Sequence, residues 1–277
     1  MSILEKAYLK SLSENENDKD KKIPRKSDED LLGINNEVTV PKKNTQELVS
    51  SRKGISRMRQ DGYFSTQELA EKRLIHANMK DTRLLDRYRN LRTKLLSLCK
   101  KENFITMITS VVPENDSSLV AANLAATFAL DEAKTAMLIE ANIHNPLLNN
   151  LFEYRHQAGL IDYLEAEKWQ AGEVLCKTGV QRLRYVPSGL PRENSAEYFT
   201  SDRMRDFISE LVSRYPDRYP IINAPSIMDS ADARILIDLC DKVVLVVPYG
   251  KCTEEEIMHA AVSIGEEKLA GIVLNEF

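Results

Sequence analysis

Two kinds of hydrophobic spacing divide the chain. Between Asp81 and Lys100, Leu84, Leu85, Tyr88, Leu91, Leu95 and Leu98 recur three or four residues apart, which is the spacing of one helix face. Arg83, Arg87, Arg89, Arg92 and Lys94 supply much of the polar surface between them. From Lys101 onward the pattern changes to short apolar runs alternating with helical stretches, as parallel βαβ units require. Strands are expected at 104–110, 135–140, 183–186, 219–223, 242–247 and 271–274, and helices at 117–130, 158–164, 203–215, 232–239 and 254–265. Upstream, the STQE run sets Glu68 three residues after Ser65, a capping box that opens a helix expected to reach His76.

The start of the chain reads differently. Ile3, Leu4, Ala7, Tyr8 and Leu12 fall close to helical spacing, so 1–12 is a candidate amphipathic docking helix, marginal alone at that length. Residues 13–64 are expected to form a flexible, charged linker that cannot build a core. The expected organisation is therefore a docking helix at 1–12, a linker at 13–64, a helical assembly segment at 65–101 and an α/β domain at 102–277.

Composition adds limits. With 277 residues and 43% hydrophobic content, a substantial core is within reach. The formal net charge of −4 argues against nucleic acid as the main partner. Cys99, Cys176, Cys240 and Cys252 are scattered without metal spacing, and His76, His144, His156 and His259 add none, so no metal site is expected. No run of 18 apolar residues occurs, and a cytoplasmic protein is inferred.

In a parallel sheet, ligands bind beyond the carboxyl ends of the strands. The loops after Ser110, Glu140 and Ile222 are therefore the places to look for chemistry. The first has the placement of a phosphate-binding loop, with ITMITS leading through VVPENDSS into the helix LVAANLAATFAL. A phosphate loop uses glycines for close backbone approach, a lysine for the phosphates and a hydroxyl for Mg²⁺. This loop holds neither glycine nor lysine.

These stretches resemble the P-loop domain of the bacterial tyrosine autokinases of exopolysaccharide synthesis, relatives of the MinD/ParA ATPases. That family's loop typically reads TSxxPGEGKS/T, followed by a helix beginning near AxNLA. On this alignment Glu114 and Asp116 stand at the glycines, Ser117 at the lysine, and Ser118 keeps the magnesium hydroxyl. The next motif resembles LIDADLRRP; here LIEANIHNP puts Glu140 and Asn142 at the two aspartates. GLIDYL, YVPSG, RYPDR and the final GIVLN are also family-like, and Asn223 in IINAPS stands where the family closes a strand with aspartate. The match runs from about Asp86 to Asn275, and MSILEKA with RYPDR looks most like the members of exosortase-linked polysaccharide systems.

The resemblance implies a P-loop NTPase-like fold, mainly parallel, with helices on both faces and a disordered N-terminal segment. The substitutions imply lost catalysis. A unit charge pair about 4 Å apart is worth roughly 4 kcal/mol at an effective dielectric of 20, so exchanging an ammonium for carboxylates turns attraction of phosphate into repulsion. Asn142 and Asn223 keep carboxamide shape but offer Mg²⁺ no charge. Asp116 is expected to cap the helix beginning near Ser117, in the niche a phosphate would take. No catalytic residue and no cofactor are expected, with ATP and Mg²⁺ required only by an enzyme alternative. The family's tyrosine-rich C-terminal tail has no counterpart after Asn275, so modification there is not expected.

DRYRNLRT matches the family's ExxRxxR assembly motif, with Asp86 for the glutamate and Arg89 and Arg92 retained. The resemblance makes these three residues candidates for an oligomer interface; an intrahelical Asp86–Arg89 pair on a solvated face is the alternative. The leading expectation is an inactive homologue acting as scaffold or regulator. Its partners would be a membrane chain-length or export protein, or an active kinase paralogue, and it would lie in the cytoplasm or at the inner membrane through a partner. Two alternatives stay open: a divergent ATPase or kinase, with Arg155 or Lys251 as conceivable phosphate ligands, and a ParA-like positioning protein binding nucleic acid through residues 83–94.

Overall fold

The computed structural model describes residues 63–99, 103–113, 116–154, 158–214 and 217–276, without the side chains of Asp116 and Arg214. The expected helix at 1–12, nearly all of the expected linker, Glu114, Arg155 and His156 lie outside the described residues. Chain order is α1 (Thr66–Glu71), α2 (Thr82–Leu98), β1 (Thr106–Ser110), α3 (Asp116–Ala129), β2 (Thr135–Glu140), α4 (Leu147–Leu151) and α5 (Leu160–Glu165). A 3-10 turn (Ala171–Val174) leads to β3 (Cys176–Lys177), β4 (Leu183–Val186), α6 (Ser195–Thr200), α7 (Asp202–Arg214), β5 (Arg218–Asn223), α8 (Ala231–Asp238), β6 (Lys242–Pro248), α9 (Glu254–Ile264) and β7 (Leu269–Asn275).

The seven strands form one sheet in the order β3-β4-β2-β5-β1-β6-β7. Every pairing is parallel except β3 with β4. Helices cover both faces, so the central strands carry near-continuous apolar runs, and β1, β2 and β5 are buried along their whole length. One core layer gathers Met107, Ile139, Ile222 and Leu245 beneath α5, α7, α8 and α9. The other joins Ile108, Leu138, Ile221 and Val246 to α2 and α3. In α3, Ala121, Ala122, Leu124, Ala125 and Phe128 are all buried, so this helix is apolar nearly all round.

The six strands expected from the sequence are present, with ends moved by at most two residues. Three short helical pieces at 147–151, 171–174 and 195–200, and the two-residue β3, are additional; each is too short to leave a readable period. The first helix differs more. Its capping box is formed, with Glu68 N–H donating to Ser65 Oγ at 3.2 Å and Ser65 N–H to Glu68 Oε2 at 2.7 Å. It ends at Glu71, however, five residues before His76.

Tertiary hydrogen bonds account for that early end. The side chain of Asn123 accepts from Ile75 N–H at 2.8 Å and donates to Arg73 C=O at 3.0 Å, and Arg73 takes φ 55°. These bonds draw 73–75 out of helical geometry and onto α3. The described part of the segment 65–101 packs on the sheet domain, with Leu74, Leu85 and Leu95 buried. Phe64, assigned by the sequence to the linker, donates its N–H to Gly179 C=O and packs on the same core. Leu98, expected on the apolar face of α2, is 43% exposed.

Candidate functional site

Three of the positions singled out by the sequence meet at the carboxyl edge of the sheet. Glu140 ends β2, Asn223 ends β5, and the two are register partners in adjacent strands. Ser118 sits in the first turn of α3, which follows β1, the strand on the other side of β5. Crossover topology alone therefore delivers the three side chains to one place.

Asn223 holds the cluster together. Its Nδ2 donates to Glu140 Oε1 at 2.7 Å and to Ser118 Oγ at 3.0 Å. Glu140 Oε1 also accepts from Asn142 N–H at 3.1 Å, and Oε2 accepts from Leu148 N–H, at the start of α4, at 3.2 Å. Glu140 and Asn223 are fully buried and Ser118 is 4% exposed. Burial pushes the Glu140 carboxyl up to about 8 against the pull of these three donors. Oδ1 of Asn223 is buried without a hydrogen-bond partner.

The remaining candidates separate from this cluster. Asn142 sends its backbone N–H to Glu140, but its side chain turns away to accept from Asn145 N–H at 3.3 Å. Ser117, at the lysine position, is buried. Helix α3 begins at Asp116 itself rather than at Ser117. The expected cap by the Asp116 side chain falls outside the described residues, as does Glu114. Among the described residues no Lys or Arg side chain hydrogen-bonds to Ser118, Glu140 or Asn223, and no His, Cys, Asp and Glu cluster of metal-binding geometry occurs. A buried amide donor between a hydroxyl and a carboxylate is a local positive pole, which opposes a cation at the same point.

The supporting shell includes residues that sequence reasoning passed over. Tyr185 donates its phenol to Asn149 Oδ1 at 2.7 Å, and burial, with Glu140 nearby, raises the tyrosine well above its ordinary value. Asn123 could have been found from its setting alone: an amide inside the apolar run LVAANLAATFAL must find buried partners. The GLIDYL and YVPSG stretches meet directly. Leu160 and Ile161 donate their N–H groups to Pro187 and Ser188, and Asp162 Oδ2 accepts from Gly159 and Leu190.

In α2, the three assembly candidates also part. Asp86 and Arg89 are exposed and paired with each other at 3.3 Å. Arg92 instead lies half-buried and donates Nη1 to Thr127 C=O in α3 at 2.8 Å, while its buried Nε has no partner. No helix among the described residues is long and apolar enough to cross a membrane.

No family model matches the chain. It is 30% identical over 193 residues to the tyrosine-protein kinase YwqD of Bacillus subtilis, covering 69% of this chain and 80% of that protein. It is 28% identical over 206 residues to the tyrosine-protein kinase CpsD of Streptococcus agalactiae, covering 73% and 88%. Among solved structures, the kinase domain of the Escherichia coli tyrosine kinase ETK superposes with a TM-score of 0.65 at 23% identity, over 78% of this chain and 82% of that one. That likeness concerns the fold, and the sequence relationship to YwqD concerns descent. By that relationship, this chain belongs to the bacterial tyrosine-protein kinase family.

Proposed function

We propose that this chain is a catalytically silent family member that works as a scaffold or regulatory partner in exopolysaccharide synthesis or export. It would engage the cytosolic part of a membrane chain-length or export protein, or an active kinase paralogue, and reach the inner membrane only through that partner. The observation that carries the reading is the closed network of Ser118, Glu140 and Asn223.

The residues present do not fit a magnesium-bound phosphate. The hydroxyl that would ligate the metal accepts an amide proton, and the one remaining carboxylate is satisfied by two backbone N–H groups and the same amide. Burial favours the neutral form of that carboxyl, which removes the charge a hard cation needs. The lysine position holds a buried serine, and the glycine positions hold Glu114 and Asp116. Each of these weakens nucleotide binding, and the oxygen left without a partner, Asn223 Oδ1, is a neutral carboxamide that brings no charge to a cation.

The test is calorimetry with ATP and with ADP in the presence of Mg²⁺, for the natural chain and for a variant carrying Glu114→Gly, Asp116→Gly and Ser117→Lys. The natural chain is expected to show no binding heat. Micromolar binding, ATP hydrolysis or tyrosine autophosphorylation by the purified natural chain would overturn the proposal.

A further inference from the structure

A groove of about 900 Å³ runs between α1, the connector that follows it, the first half of α2 and the start of α3. Adjoining it along the same α2 segment, a second depression of about 780 Å³ reaches the end of β7, and the two share Lys80, Asp81, Leu84, Tyr88 and Asn275. Met79, Leu84, Tyr88 and Leu119 give the groove an apolar floor. The volume suits several side chains rather than one, and the walls are held in place beforehand. Asn123 ties the connector to α3, and burial pushes the Tyr88 phenol up to about 12 against the pull of a hydrogen bond with the Asn123 side chain.

The rim is positive. Arg73, Lys80, Arg83 and Arg87 line the two depressions, and none of them forms an ion pair among the described residues. Of the carboxylates there, Asp81 is engaged in capping α2, accepting from Leu84 N–H at 3.0 Å, which leaves Glu276. In a chain with a net charge of −4, this is a local reversal of sign. Cations that form no ion pair among the described residues, set around an apolar floor, match a ligand that brings both carboxylates and apolar side chains. A nucleic-acid backbone would use the cations and leave the floor empty.

We infer that this groove docks an acidic amphipathic peptide segment of a partner protein, with apolar anchors over Met79, Leu84 and Leu119 and carboxylates facing Lys80, Arg83 and Arg87. The inference rests on the scaffold reading and adds to it the chemistry of the partner's contact segment. Neutralising contacts of this kind govern association rate and salt sensitivity, while the buried anchors set residence time.

A random twelve-residue peptide library displayed on phage and panned on the full chain tests it. Enriched sequences are expected to combine Asp or Glu with Leu, Ile, Phe or Met. A synthetic copy of the most enriched sequence should bind at least tenfold more weakly to the Arg83→Glu, Arg87→Glu variant, and more weakly as NaCl rises. Arg205→Glu, on an exposed stretch of α7, should bind as the natural chain does, and Met79→Glu should also lose binding should the charge-reversed variant melt early. Enrichment without acidic residues, or binding indifferent to both groove variants, overturns the inference. So does mixed-sequence duplex DNA that binds more tightly than the peptide and displaces it. A sedimentation shift from oligomer to monomer in the double variant, with peptide binding unchanged, would assign the surface to a second copy instead and equally overturn it. None of these outcomes bears on ATP binding, so this inference can fail while the silent-kinase reading stands.

Discussion

Asn223 gives one amide group to two acceptors, Glu140 and Ser118, and leaves its own carbonyl oxygen buried with no donor. With Glu140 ionised this orientation is the best available, because all three neighbours of the carboxylate are donors. With Glu140 protonated, Asn223 Oδ1 can accept the new O–H after reversal of the amide. Protonation and amide reversal are therefore expected to occur together. The side-chain amide resonances of Asn223 should move with a midpoint near pH 8, matching Glu140, and should not move in Glu140→Gln.

The same group sets a sign for stability against pH. The carboxyl is raised in the folded state, so its contribution is fully present below the ordinary carboxylate range and is lost as pH rises through about 8. Melting temperature should fall by several degrees between pH 5 and pH 8.5, and Glu140→Gln should flatten that slope. A slope that survives the substitution would place its origin elsewhere.

Removing the acceptor altogether has a larger effect. Glu140→Ala leaves the N–H groups of Asn142 and Leu148 and the Asn223 amide without their carboxylate partner in a dry site. At about 1–3 kcal/mol for each unsatisfied buried group, a loss of about 3 kcal/mol or more is expected in urea unfolding. Glu140→Gln should lose far less, because the reversed Asn223 amide can still pair with it. Equal losses for the two would show that shape, and not hydrogen bonding, governs the site.

Gly189 has φ 84°, and a Cβ there would lie 2.3 Å from Asp162 Oδ2, the oxygen that accepts from Gly159 and Leu190. Gly189→Ala thus combines backbone strain with a clash against a bonded carboxylate. A loss of about 2–3 kcal/mol is expected from denaturant midpoints, while Gly250→Ala, also at positive φ but with open space around it, should lose about 1 kcal/mol from backbone strain alone.

Within α2, Arg92→Ala should destabilise the monomer by about 1 kcal/mol through the lost bond to Thr127. Reversing the exposed pair, Asp86→Arg with Arg89→Asp, should leave the melting temperature unchanged. If these two residues nevertheless contribute to an assembly, sedimentation is where the exchange would register. An unaltered sedimentation profile would reduce the pair to a solvated surface contact.

Strands 135–140 and 183–186 were legible to the residue because a buried strand is a short, mostly apolar run: AMLI fills the first, and the second is broken only by the half-buried Arg184. The meeting of Ser118, Glu140 and Asn223 was legible only as motif order, since register between β2 and β5 is set by packing across the sheet. The early end of α1 was not legible. Local capping chemistry predicted a longer helix, and a hydrogen-bonding amide 48 residues downstream prevailed. The setting of Arg92 was not legible either: helical spacing puts it beside Asp86 and Arg89, and its long side chain reaches Thr127 in a neighbouring helix.

The two bonds from Asn123 to the Arg73–Ile75 connector also bear on how the protein breathes. A connector between two helices ordinarily opens on its own, at low free energy. Here Ile75 is 1% exposed and its N–H is bonded to Asn123 in the middle of α3, so it cannot open unless α3 releases it. Its amide should exchange with deuterium at the rate of the α3 core, marking the connector and α3 as one cooperative unit.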